Sequence, residues 1–207
     1  FTRRIGYWLD LENAYMTMSP QYIETLWRII KEFWKKGFLY QDFKVLPWCP
    51  RCETALSSHE VGQGYKTVRD RSVYVKFKLK AGQKMGKFVT DNNTFIVAWT
   101  TTPWTLPGNA ALAVGGEIKY VLVKNTASDE YYVLAKDRLG AVDGVSRPQE
   151  EFYGKDLIGL RYEPLFNVPE LKFEESYRVY EAGFVSIKEG TGVVHTAVMY
   201  GEEDYRL

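Results

Sequence analysis

The chain has 207 residues, 45% of them hydrophobic and 26% charged, and a formal net charge of +1. That composition excludes intrinsic disorder, and its longest apolar runs, a few residues each, fall far short of the roughly 20 needed to span a bilayer. The length suits one large domain, or one domain with a smaller appendage.

The sequence opens at Phe1 without an initiator Met or a signal peptide and stops at Leu207, and we read it as a piece of a longer protein in a reducing, cytoplasmic setting. Ser19-Pro20 followed by QYIETLWRIIKEFWKKG predicts a long helix. Ser19 is the N-cap and Pro20 the first helical residue. Ile23, Leu26, Trp27, Ile30 and Phe33/Trp34 form the apolar stripe, and Gly37 ends it after Lys35 and Lys36.

The stretch FLYQDFKVLPW then leads as an extended connection into Cys49-Pro-Arg-Cys52, and residues 53 to 71 read as loop. Two thiols on a tight knuckle suit one zinc ion, but tetrahedral structural zinc takes four ligands and no second CxxC follows. Cys49 and Cys52 therefore make half a site. His59 is a weaker third candidate, its segment being better suited to loop hydrogen bonds. The order of these parts excludes a zinc deaminase, in which HxE precedes PCxxC.

From Ser72 onward the period changes to two. SVYVKFKL, TFIVAWT, NAALAV, KYVLVKN, EYYVLA, SYRVYEA and GVVHTAV are short, rich in β-branched and aromatic residues, and separated by turn signals. The expected fold is α+β: a predominantly β-barrel domain with short helices over 72–207, closed or nearly closed because closure removes exposed edges, preceded over 1–71 by a helix and a cysteine-knuckle hinge. Residues 136 to 142 suit a short helix, and Gly82 to Lys87 lacks the spacing of a phosphate loop. Between Val61 and Thr90 eight basic residues stand against one acid. This stretch reads as a polyanion-facing side or, equally, as a solvated strand face, since Lys76, Lys78 and Lys80 alternate with Val75, Phe77 and Leu79.

Two segments concentrate polar groups beyond what turns need. WTTTPWTLPGNAALAV follows the apolar Phe95-Ile-Val-Ala, and GTGVVHTAVMYGEEDY ends a strand at His195 and returns Asp204 nine residues later. Taken singly, a lone His at a strand end is commonly structural, and Glu202-Glu203-Asp204 suits a solvated turn or a helix start. Taken together, TTTPWTLP at 100–107 and GTGVVHTA…GEEDY at 190–205 resemble the two signature segments of the editing domain inserted into class I aminoacyl-tRNA synthetases for isoleucine, valine and leucine. The Thr-Thr-Thr-Pro form resembles the isoleucine enzymes in particular, the others typically carrying Thr-Thr-Arg-Pro. RIGYWLD, the helix, VLPWCPRCETALSSHEV and SVYVKFKL resemble the flanks, so the likeness covers nearly the whole chain. The usual HTAP reads His195-Thr-Ala-Val198, which loses a stiffening proline.

The resemblance implies hydrolysis of mischarged valyl-tRNA for isoleucine. One methylene is worth roughly 1–3 kcal/mol, and the isoleucine enzymes, the standing example of this limit, separate isoleucine from valine only about 150-fold, so a second site must remove the error. Catalytic roles then fall to Thr102, Asp204 and His195. Asp204 would hold the substrate α-ammonium. His195 and Trp104 would shape the side-chain pocket, with His195 clashing with the extra methylene of isoleucine. Thr100, Thr101 and Thr102 would offer hydroxyls to the terminal adenosine and the ester, with Thr105 in support.

No nucleophile and base pair is evident, so positioned water is the expected attacker, helped by the ribose hydroxyl. Editing is expected to need no cofactor. Zn²⁺ would be completed by cysteines elsewhere in the parent, and ATP and Mg²⁺ would belong to a synthetic domain outside this sequence, which has neither HIGH nor KMSKS. Expected partners are the aminoacylated end of tRNA for isoleucine and the rest of the parent synthetase, with no membrane and a monomeric state. The competing readings are a non-catalytic tRNA-binding module, kept open by Val198, and a plain structural β-domain.

Overall fold

The helix expected after Ser19 is present as α1 (Pro20–Lys35) in a computed structural model that describes residues 1–207. The Ser19 side chain accepts the Tyr22 N–H, and Pro20 sits in the first turn, where its missing donor costs nothing. At the other end the Gly37 N–H donates to Trp34 O, and the glycine adopts φ +72°. The chain divides into two compact units, Phe1–Lys44 and Val45–Leu207. No residue of α1 is buried. Its apolar stripe, including Ile23, Leu26, Trp27, Phe33 and Trp34, stays exposed.

The second unit begins with β1 (Trp48–Cys49) and β2 (Thr54–Ala55), an antiparallel pair that carries the cysteine knuckle on its turn. The stretch read as loop then holds β2 and α2 (Ser58–Gln63). A capping box accounts for this helix: Ser57 accepts the Glu60 N–H, and the Glu60 carboxylate accepts the Ser57 N–H. That signal, Ser-x-x-Glu, was legible in the sequence.

Ten further strands follow: β3 (Val73–Lys78), β4 (Lys84–Met85), β5 (Phe88–Val89), β6 (Thr94–Thr100), β7 (Ala111–Val114), β8 (Lys119–Lys124), β9 (Tyr131–Ala135), β10 (Glu150–Tyr153), β11 (Val179–Glu181) and β12 (Val193–Thr196). All seven expected strands are among them. The β4–β5 hairpin and β10 are additions, the former too short for a period and the latter opening on the charged pair Glu150-Glu151. A 3₁₀ segment, Lys136–Ala141, stands where the short helix was expected, and α3 (Glu202–Arg206) ends the chain.

The larger sheet has the order β10-β8-β9-β6-β3 and the smaller one β11-β7-β12. All pairs are antiparallel except β6 with β9 and β7 with β11. Full closure of the expected closed or nearly closed barrel is not shown: the strand order leaves β10 and β3 as ends of one sheet and β11 and β12 as ends of the other. The irregular segment between β10 and β11 links the two sheets: the Lys80 N–H donates to Arg161 O and the Glu163 N–H to Lys78 O on the β3 side, and the Tyr162 N–H donates to Tyr177 O and the Val179 N–H to Leu160 O on the β11 side, around the bridges Leu79 with Tyr162 and Arg161 with Arg178.

Alternation along the central strands explains their near-continuous apolar character. Ile96 and Ala98, Tyr120 and Leu122, and Val133 and Ala135 face one core together with Leu112, Val114 and Val193 of the smaller sheet. Val97, Val121, Val123, Tyr132 and Leu134 point the other way into a second cluster. With both faces covered, the register is tightly specified, since a one-residue slip would exchange the two sets.

Two lysines of the basic strand face are paired. Lys76 Nζ lies 2.9 and 2.7 Å from the two Glu130 oxygens, and Lys78 Nζ lies 3.1 Å from Glu163. The hydrogen bond to Glu130 raises the Lys76 pKa, and its counterpart lowers that of Glu130. These contacts favour the solvated-face reading over the polyanion one. No helix is long and apolar enough to cross a membrane.

Candidate functional site

Strand β6 ends at Thr100, and the chain turns at once into a 3₁₀ segment, Pro103–Gly108. Its hydroxyls serve the turn's own backbone. Thr100 Oγ1 accepts the Thr102 N–H at 3.1 Å, and Thr102 O accepts both the Thr105 N–H (3.0 Å) and the Thr105 hydroxyl (2.8 Å). Pro103 and Pro107 fix φ through the same turn. Thr100 and Thr105 are thereby buried, while Thr101 and Thr102 remain exposed.

Strand β12 brings His195 opposite Leu112 of β7. The glycines before it are needed by the backbone. Gly190 and Gly192 have φ +69° and +74°, and a Cβ on Gly192 would lie 2.5 Å from that of Ala135. The Tyr120 hydroxyl donates to Gly192 O at 2.6 Å and accepts the Gly115 N–H at 3.1 Å, and burial pushes its pKa up to about 12.

His195 is buried, and both ring nitrogens are engaged. Nε2 lies 2.8 Å from Thr105 Oγ1 and Nδ1 lies 2.9 Å from Asn109 Nδ2. Asn109 Nδ2 also donates to Ala111 O (2.9 Å) and Thr196 O (3.3 Å), while its Oδ1 accepts the Tyr162 hydroxyl at 2.7 Å. Burial lowers the His195 pKa, and the nearby Asp204 carboxylate opposes that shift. The net shift favours the neutral ring.

Asp204 sits in the first turn of α3, and its Oδ2 accepts the Ala197 N–H at 3.0 Å. Oδ1 has no protein partner. The same contact closes the loop that lacks the proline, together with the Tyr200 N–H donating to Ala197 O at 2.9 Å. Val198 itself is 39% exposed, so its side chain is spare to the core.

One cavity of about 660 Å³ is lined by Thr100, Thr101, Thr102, Trp104, Thr105, His195 and Asp204. Residues drawn from segments ninety positions apart thus converge on one space. Trp104 is 59% exposed, which puts it at the rim. The other charged groups lining the cavity are Lys188 and Glu189. Sequence reasoning missed Asn109 and Tyr162. Asn109 was counted as the start of a strand, although a polar side chain entering an apolar run is a signal that it needs buried partners; Tyr162 carries no such sign.

Cys49 and Cys52 do not line this cavity. The Cys52 N–H donates to Cys49 Sγ at 3.4 Å, and the backbone N–H donors of Cys52 and Arg51 lower the Cys49 pKa. His59 bonds Gln63 within α2 at 2.8 Å, and no group of three His, Cys, Asp or Glu side chains is placed to hold a metal. The thiol pair suits zinc chemically but supplies half of a tetrahedral set.

Comparison with known proteins identifies relatives along almost the whole chain. The family described as tRNA synthetases class I (I, L, M and V) matches residues 1–203. An isoleucine–tRNA ligase of Clostridium tetani is 48% identical over 206 residues, covering 98% of this chain and 18% of that protein. Its counterpart in Thermus thermophilus is 46% identical, covering 99% of this chain and 19% of the relative. The chain therefore spans about a fifth of the length of the curated relatives it matches. Among solved structures, the crystal structure of GlLeuRS-CP1 superposes with a TM-score of 0.51 at 16% identity, covering 66% of this chain and 58% of that one. That likeness shows a shared fold.

Proposed function

The chain belongs to the class I tRNA synthetases of the isoleucine, leucine, methionine and valine group, and from that footing we propose that it is the editing segment of an isoleucine enzyme, hydrolysing valyl esters of tRNA for isoleucine. The observation that carries this reading is the single cavity shared by the Thr100–Thr105 turn and the His195–Asp204 loop. The bridges through Tyr162 and Arg161 support viewing the two sheets as a laced, incomplete barrel around it.

Asp204 Oδ1, free of protein partners, receives the substrate α-ammonium in a charge-assisted hydrogen bond and so selects aminoacyl esters. His195 forms a wall against the side chain. Its engaged nitrogens support a steric and hydrogen-bonding role and leave no lone pair to accept a proton. Thr101 and Thr102 present hydroxyls to the adenosine and the ester, with Thr100 and Thr105 bracing the turn. A positioned water attacks the carbonyl carbon, the bond to the ribose oxygen breaks, and that oxygen takes up a proton from the attacking water. Proximity supplies several kcal/mol of barrier reduction without a covalent intermediate.

In the same reading the aminoacylated end of tRNA and the remainder of the synthetase are the partners, the domain acts as a monomer in the cytoplasm, and editing draws on no cofactor. Zn²⁺ at Cys49 and Cys52 would take its other ligands from elsewhere in the parent, and ATP and Mg²⁺ serve the synthetic site. The test is hydrolysis of valyl-tRNA with isoleucyl-tRNA spared. Binding of the mischarged tRNA without turnover would favour the non-catalytic module that Val198 keeps in view.

A further inference from the structure

Resting on this reading of the cavity, we infer that Tyr162 is a positioning residue that fixes His195 in a single tautomer through Asn109, and so holds rigid the wall that separates valyl from isoleucyl esters.

Asn109 provides the key. Its Nδ2 faces Ala111 O and Thr196 O, which can only accept, so the amide nitrogen must lie on that side. A flipped amide would press Oδ1 against two carbonyl oxygens. Nδ2 also lies 2.9 Å from His195 Nδ1 and has no lone pair to accept with, so that nitrogen accepts the second amide proton, shared with the more distant Thr196 O, and carries none itself. The ring proton is therefore on Nε2 and is donated to Thr105 Oγ1, whose own proton goes to Thr102 O. The arrangement leaves one buried group over, Asn109 Oδ1, and the Tyr162 hydroxyl supplies its donor at 2.7 Å.

Tyr162 is well suited to that task. It is fully buried, and burial strongly raises its pKa, so the donor proton stays in place. Its ring meets Phe77 edge-on at 5.3 Å and Tyr177 at 5.9 Å, and its backbone bridges Leu79. Hydrogen bonding then runs in one sense from Tyr162 to Thr102, tying the wall of the cavity to the turn that bears the ester-facing hydroxyls. A second proton on His195 would place Nδ1–H against the Asn109 amide donor. Asp204 is the charged group whose field reaches the ring, while Lys188 and Glu189 line the same cavity.

Imidazole ¹⁵N spectra test this directly, since the chain has only two histidines and the exposed His59 serves as internal reference. The expected result is His195 as the Nε2–H tautomer in the native chain. Tyr162→Phe removes one hydroxyl and should give mixed tautomers, a titration midpoint shifted upward, and a several-fold smaller ratio of valyl to isoleucyl deacylation. Asn109→Asp puts a carboxylate beside Nδ1 and should draw a second proton onto the ring, raising the midpoint above the ordinary histidine value. A native Nδ1–H tautomer, or an unchanged tautomer and midpoint in Tyr162→Phe, would overturn the inference. If Tyr162→Phe does not fold, a native Nδ1–H tautomer, or an Asn109→Asp variant whose midpoint does not rise, still overturns the inference. A tautomer that responds as expected in a protein hydrolysing neither ester would leave the lock standing and refute the editing reading instead.

Discussion

Replacing His195 by alanine exposes the proposed size filter to a quantitative test. The substitution removes a buried ring from the cavity that also holds Thr102 and Asp204. Isoleucine exceeds valine by one methylene, whose burial is worth about 0.8 kcal/mol, and a pocket that refuses it gains roughly 1–3 kcal/mol of discrimination. At 1.4 kcal/mol per factor of ten, loss of the wall should lower the valyl to isoleucyl ratio of kcat/KM about tenfold or more. The fold should survive. Asn109 Nδ2 keeps Ala111 O and Thr196 O, and the Thr105 hydroxyl keeps Thr102 O, so no buried donor is orphaned. Lost packing should cost about 1–3 kcal/mol. Single-turnover deacylation of both esters, with urea denaturation of the variant alongside, measures each quantity. An unchanged ratio in a folded variant would refute the wall.

Other expectations follow from the same contacts. Alanine at both Lys76 and Lys78 should leave tRNA affinity and its salt dependence nearly unchanged, because Glu130 and Glu163 already pair with them; a slope reduced by nearly one unit per residue would show that this face meets phosphate. Gly192→Ala should destabilise the domain through a left-handed φ, about 1–2 kcal/mol, and overpacking against Ala135, about 1–3 kcal/mol, and a near-native urea midpoint would contradict that reading. Stability should also depend on pH through His195. Its folded pKa lies below the ordinary 6.5, so the unfolded chain takes up the proton first as the pH falls. This contribution is complete above 6.5 and is lost as the pH drops from there through the folded value. A pH series of urea midpoints should show that component in the native chain and not in His195→Ala.

Much of the fold was legible because its strands are locally explicit. SVYVKFKL alternates between the core and a solvated face, KYVLVKN alternates between two cores, and α1 carries its cap, proline and terminating glycine within one stretch. The β4–β5 hairpin has too few residues to show a period, and β10 opens on two glutamates that hide its pairing with β8. The degree of closure was not legible for a different reason. Strand count alone does not say how a crossing segment such as 154–178 will pair, and here it links β3 to β11 by short runs of backbone hydrogen bonds. At the site, the sequence placed the threonines, His195 and Asp204 in two motifs, and the fold brings both to one cavity. The roles of Asn109 and Tyr162 were hidden because their partners lie 53 to 86 positions away; the polar Asn109 at the head of an apolar run signals a need for buried partners but not which ones.

The most direct measurement is deacylation of valyl-tRNA and isoleucyl-tRNA, both on tRNA for isoleucine, by this chain and by Asp204→Ala. The account predicts that the native chain hydrolyses the valyl ester and spares the isoleucyl ester, and that the variant, folded but without its ammonium acceptor, loses the reaction. A variant that retains the native rate, or a folded native chain that hydrolyses neither ester, would contradict it.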